Sequence, residues 1–203
     1  MKDGRPVVLI TGASGFIGRH LKPVLESSGW IVRRALRTEA DGPNDVIIES
    51  IGPAADWQDA LVGVDAVVHL AARVHHPNEE HAVELYRNIN IEGTLHLARC
   101  GARMGVRHFV FVSTILVNGR GTEGRGPFSE ADVLTPRGIY GMSNAAAETG
   151  LRLVSVRRVL ESYESYESYV IQGWWPDSRR GHRCGRARTA PDTTAASCDI
   201  RAI

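Results

Sequence analysis

The sequence predicts an α/β fold built on a doubly wound parallel sheet, and two observations carry that reading. Short continuous apolar runs, suited to strands buried on both faces, alternate with longer stretches of helical periodicity. The alternation is sustained over the first 112 residues, and strand–helix–strand succession gives parallel pairing with right-handed crossovers.

Each element follows in order. Val7-Val8-Leu9-Ile10 is an apolar run ended by glycines. Phe16 to Ser28 carries apolar residues at Phe16, Ile17, Leu21, Val24 and Leu25, a helical stripe stopped by Gly29. Ile31–Leu36 and Val46–Ile48 read as strands, and Trp57–Val62 as a short helix. Ala66-Val67-Val68-His69-Leu70 is the next strand and Phe109-Val110-Phe111-Val112 the one after. Between them, Leu85 to Met104 has helical spacing at Leu85, Ile89, Leu95, Leu97 and Ala98. The pattern ends near residue 155. Glu161 to Tyr169 is Glu-Ser-Tyr in tandem, a period of three that fits neither helix nor strand, and an Arg-rich stretch without periodicity follows. The expected organisation is a domain over 5–155 and an irregular, disordered tail over 156–203 in place of a second domain.

The bulk properties narrow the function classes. At 203 residues and 43% hydrophobic, the chain can bury a core. A net charge of +1 argues against a nucleic-acid partner. Cys100, Cys184 and Cys198 give no even-numbered disulfide framework, and His182 and Cys184 lack further ligands, so no metal is expected. No run approaches the length of a membrane span and no leader is visible, so a cytoplasmic location is expected.

Thr11-Gly12-Ala13-Ser14-Gly15-Phe16-Ile17-Gly18 lies where a strand gives way to a helix. Its spacing, Gly-x-x-Gly-x-x-Gly, is that of a Rossmann-type phosphate cradle. Gly12 permits the tight turn, Gly15 lets backbone approach a pyrophosphate, and Gly18 lets helix and strand pack closely. The helix N-terminus then offers free N–H groups to the anion. Cofactor choice is read at the end of the second strand, where Arg33-Arg34-Ala35-Leu36-Arg37 holds no acid. An acid there would bond the ribose 2′-hydroxyl of NAD; Arg37 tips the expectation towards NADP, with NAD left open.

Several further motifs occur in sequence: Asp65-Ala66-Val67-Val68-His69-Leu70-Ala71-Ala72, Asn90-Ile91-Glu92-Gly93-Thr94, Ser113-Thr114 leading to Val117-Asn118-Gly119, and Tyr140-Gly141-Met142-Ser143. With the glycine motif they resemble the NAD-dependent epimerase/dehydratase family of nucleotide-sugar enzymes, part of the extended short-chain dehydrogenase/reductases. The resemblance spans about residues 5–155. It implies that Gly12, Ser14, Gly15, Phe16, Ile17 and Gly18, with Leu70, Ala71, Ala72, Asn90 and Tyr140, line the cofactor. It implies also that Tyr140 is the acid/base and that Thr114 hydrogen-bonds the reacting sugar oxygen. From the residues alone, a phenol can shuttle a proton once its pKa falls towards neutrality, and a hydroxyl aimed at the same oxygen orients it. Taken singly, a Ser-Thr pair after a strand reads as a cap, and Tyr140 as packing. A nucleotide-sugar substrate and a homodimer through the helices near Leu85–Met104 and Tyr140–Val154 are further implications.

The sequence also departs from that pattern. The family places Lys four residues after the tyrosine, and position 144 is Asn. Positions i and i+4 share a helix face, so Asn144 stands beside the tyrosine without the charge that lowers a phenol's pKa. At a pKa near 10 about a thousandth of the phenol is ionised at pH 7, a loss of roughly 4 kcal/mol. Ser50 takes the place of an Asp that contacts adenine in the family. No substrate domain is expected after residue 155. The expected function is that of a nucleotide-sugar epimerase/dehydratase by descent, impaired in this chain. The alternatives are a non-catalytic NAD(P)-binding module and a decayed gene product.

Overall fold

The computed structural model describes residues 4–74, 82–129, 132–161 and 199–202. Its centre is a parallel sheet in the order β3-β2-β1-β4-β5-β6. These strands are β1 (Val7–Thr11), β2 (Ile31–Leu36), β3 (Val46–Ile47), β4 (Ala66–His69), β5 (His108–Phe111) and β6 (Asp199–Ala202). The order of winding reverses between the parallel neighbours β1 and β4, which flank the switch point where open α/β sheets form their ligand crevice. Val8 pairs with both Val32 and Ala66, and His69 with both Thr11 and Phe111, so the carboxyl ends of β1, β4 and β5 finish level.

The helices are α1 (Phe16–Ser27), α2 (Gln58–Leu61), α3 (Val83–Tyr86), α4 (Thr94–Arg103) and α5 (Gly138–Glu161). The central strand β1 is buried along its whole length, which is why it reads as an unbroken apolar run. The larger core joins Leu9, Val67, Phe109 and Phe111 to Leu61, Leu97, Ala147 and Leu151 of the helices. The smaller one lies towards α1, where Val8, Ile10 and Ala66 meet Leu21, Leu25 and Trp30.

Four elements differ from expectation. The helix expected over Leu85–Met104 is interrupted: Arg87–Gly93 is a π-helical segment between α3 and α4. Such wider turns re-aim side chains and recur at functional sites; here one buries Asn90, which sequence periodicity alone places on the surface. The apolar stripe of α1 is only partly inward. Phe16, Ile17 and Val24 are exposed, and within this helix Gly18 is the buried residue. Lastly, α5 runs on to Glu161, past the expected boundary, and Asp199–Ala202 adds as β6 to the outer edge of β5. No strand was expected there; a parallel partner in this position satisfies an edge otherwise left with unpaired backbone groups. The Glu-Ser-Tyr repeat beyond Glu161 and the Arg-rich stretch up to residue 198 lie outside the described residues.

A polar chain crosses this apolar framework. His69, 1% exposed, has Nδ1 at 2.6 Å from Thr11 Oγ1 and Nε2 at 2.9 Å from Thr94 Oγ1. It thereby ties β1, β4 and α4 together. Burial holds its imidazole neutral, with a pKa depressed to about 4.

Two predictions follow from the packing. Leu97, fully buried, is expected to cost about 2–5 kcal/mol when cut to Ala, read as a shift in the denaturation midpoint. The second concerns pH. Above pH 6.5 His69 is neutral in both folded and unfolded chains; below it the unfolded chain gains a proton that the folded one refuses. Stability should therefore fall as pH drops from 6.5 towards 4, by about 3 kcal/mol in all. Thermal melts across that window should show the slope in the parent and a flatter one in His69→Asn; equal slopes would remove His69 as the cause.

Candidate active site

The crevice begins at the turn after β1. Gly12 has φ +68°, and a Cβ built there would stand 2.8 Å from the Ala71 nitrogen, so only glycine lets this turn touch the end of β4. At Gly18 a Cβ would fall 2.5 Å from the Ala13 Cα, so α1 can lie on the turn only without a side chain. Gly15 donates its N–H to the Gly12 carbonyl at 3.0 Å and precedes α1. No side chain caps this helix start and its first turn carries no acid, which leaves its amides to an anion. Ser14 and Phe16 are exposed beside them. A cradle of bare backbone and free amides fits a pyrophosphate.

Across the crevice, Thr11 holds the end of β4 twice. Its carbonyl accepts the Leu70 N–H at 3.2 Å and its hydroxyl the Ala71 N–H at 3.2 Å. Asn90 secures the next step: Oδ1 accepts the Arg73 N–H at 2.7 Å, and Nδ2 donates to the Arg73 carbonyl at 2.9 Å and to Ser143 Oγ at 3.0 Å. Ser143 in turn donates to the Tyr140 carbonyl at 2.8 Å. The π-helical turn thus joins the β4 loop to the start of α5. Gly93, in the same segment, carries no side chain where a Cβ would overlap the Ile51 carbonyl, and this seats the loop holding Ser50.

Tyr140, half-buried, and Asn144, 1% exposed, lie one turn apart on α5. Asn144 donates from Nδ2 to the Tyr140 carbonyl at 2.9 Å. Burial pushes the Tyr140 phenol above its ordinary value; the Asn144 amide pulls partly the other way, and Tyr86 adds to the rise. A lysine would act in the opposite sense to that burial. Thr114 is partly exposed at the end of β5 and caps the short 3₁₀ turn Ile115–Val117, accepting the Leu116 N–H at 3.4 Å. Its neighbour Ser113 donates to the buried Glu148 of α5, fastening the Thr114 turn to the helix that carries Tyr140.

The arginines after β2 separate. Arg33 donates to the carbonyls of Ala60 and Val62, and Arg34 is held by Asp45 and Asp41, which draws the Asp45 carboxyl below its usual range. Arg37 is exposed at the strand's end. Of the arginines that suggested a 2′-phosphate, Arg33 and Arg34 are thus engaged in holding α2 and the loop after β2.

Sequence reasoning did not single out the Thr11–His69–Thr94 chain, Glu148, or the π-helical turn. His69 and Thr94 stand within motifs it quoted, and Glu148 lies one turn beyond Asn144, which is the signal that could have found it. Among the described residues no group of three or more His, Cys, Asp or Glu could hold a metal, and no helix is long and apolar enough to cross a membrane.

Comparison with known proteins agrees with this geometry. The family model for the NAD dependent epimerase/dehydratase family matches residues 8–156. The chain is 36% identical over 149 residues to a UDP-glucose 4-epimerase of Vibrio cholerae, covering 71% of this chain and 45% of that protein. It is 31% identical over 148 residues to an undecaprenol-linked N-acetylglucosamine 4-epimerase of Escherichia coli O157:H7, covering 71% and 42%. The structure of MoeE5 in complex with UDP-glucose and NAD superposes with a TM-score of 0.65 at 30% identity, covering 74% of this chain and 49% of that one. The chain spans about half the length of these relatives. The glycine cradle, the strand order and the matched residues lead to one assignment: the chain belongs to the NAD-dependent epimerase/dehydratase family.

Proposed function

We propose that this chain binds NAD in the crevice between β1 and β4, and that its Tyr140–Thr114 site is of the nucleotide-sugar epimerase/dehydratase type but turns over poorly. The supporting observation is the surroundings of Tyr140. Its phenol is raised by burial, and its i+4 neighbour is an uncharged amide bonded to backbone.

In this reading Gly12, Ser14, Gly15, Phe16, Ile17 and Gly18 hold the pyrophosphate, while Leu70, Ala71, Ala72 and Asn90 form the opposite wall. The bound dinucleotide supplies a hydride acceptor and donor for a sugar carbon. Tyr140 takes the proton from the sugar hydroxyl and Thr114 bonds the same oxygen. With a raised phenol, the ionised fraction at pH 7 falls below about a thousandth, and that shortage limits the proton transfer. MoeE5, crystallised with UDP-glucose and NAD, supports a nucleotide-sugar ligand class. A dinucleotide-binding module without catalysis is the second reading, favoured by the same Asn144.

Titration with NADH and with NADPH, followed by nicotinamide fluorescence, is expected to show saturable binding of NADH. Comparable binding of NADPH would assign Arg37 a 2′-phosphate contact; no binding of either by folded protein overturns the proposal. Asn144→Lys is expected to raise turnover of a UDP-hexose by up to about a thousandfold. It is also expected to lower the melting temperature, since a cation then enters a buried position. Binding without regained turnover would favour the non-catalytic module, and ready turnover by the parent chain would refute the impairment.

A further inference from the structure

His69 is a fully buried titratable group with no part in the chemistry above, yet its two nitrogens meet two different hydroxyls. A neutral imidazole donates through one nitrogen and accepts through the other, so it can serve both threonines at once. On the Nε2 side is Thr94, the first residue of α4 after the π-helical turn, at 2.9 Å. On the Nδ1 side is Thr11, at 2.6 Å, whose Oγ1 also accepts the Ala71 N–H at 3.2 Å. Ala71 is the residue whose backbone stands so close to Gly12 that a Cβ there could not fit. The chain of bonds ends on the peptide that closes the phosphate cradle.

We propose that His69 is a positioning residue for the dinucleotide: by holding the Thr11 hydroxyl through Nδ1, it fixes the Ala71 amide and sets the wall opposite Gly12. This rests on the NAD-binding reading above. A histidine serving only to fill the core would depend on its volume and would be indifferent to which nitrogen is kept. The relay depends on the Nδ1 side, because Thr11, and not Thr94, touches the cradle. Thr94 is the anchor that keeps the ring from turning.

The two nitrogens can be tested apart, since an Asn side chain places its polar atoms near the position of Nδ1 and a Gln near that of Nε2. Two readouts are needed: amide hydrogen exchange at Ala71 in the dinucleotide-free protein, and NADH affinity by fluorescence titration. Exchange at Leu70 is the internal control, because its N–H goes to the Thr11 carbonyl and not to the hydroxyl. In His69→Asn, Ala71 should stay protected and NADH affinity should remain within about threefold of the parent. In His69→Gln and His69→Leu, Ala71 should exchange about tenfold faster, Leu70 should be unchanged, and NADH should bind about tenfold more weakly, the size of one hydrogen bond. Equal effects of Asn and Gln on both readouts, or changes that merely track the melting temperature, would overturn the relay. If the parent fails to bind NADH, the NAD-binding reading fails, and the Ala71 exchange pattern still decides whether His69 holds that amide.

Discussion

Everything about the site depends on how closely the turn after β1 approaches the end of β4. The separation is set by what is missing at Gly12 and by what is present at Thr11. The absent Cβ lets two backbones meet, and the threonine bonds the two successive amides just past the facing strand. Either device alone would leave the contact slack: a glycine permits approach but does not enforce it, and a hydroxyl cannot reach across a side chain. Together they define a cleft lined by backbone, the surface a pyrophosphate requires.

This explains why some of the protein is legible in its sequence and some is not. The strands were readable because burial on both faces demands continuous apolar runs, as at Val7–Ile10. The cradle was readable because close backbone approach has one chemical solution, glycine at fixed spacing. The π-helical turn that buries Asn90 was not, because Leu85 and Leu95 keep helical periodicity on either side of it, and a single inserted residue leaves no compositional mark. His69 and Glu148 were hidden for another reason. Buried polar groups are defined by partners distant in sequence, Thr94 at 25 residues and Ser113 at 35, and no local pattern announces such pairings.

The departure at position 144 touches the chemistry and leaves the scaffold's contacts in place. Asn90 bridges the β4 loop to α5, Ser113 is fastened to Glu148, and Thr11 holds Ala71. The altered position is the one where a positive charge would act on Tyr140. A lysine buried there would bear a desolvation cost that only its partners could offset, whereas an amide bonded to the Tyr140 carbonyl bears little. Exchanging the first for the second therefore favours the fold while removing the force that ionises the phenol.

That asymmetry bears on what kind of molecule this is. On the proposed reading, cofactor capture draws on the glycine turn and the threonine–histidine chain, neither of which involves Asn144. Proton transfer would draw on one phenol, Tyr140, whose surroundings here favour its neutral form. On that reading, binding and turnover would be carried by separable sets of residues, so a single substitution could abolish one while leaving the other intact. A chain with this division would retain a dinucleotide without consuming a sugar, a property set by electrostatics at one position of α5 and not by the architecture that surrounds it.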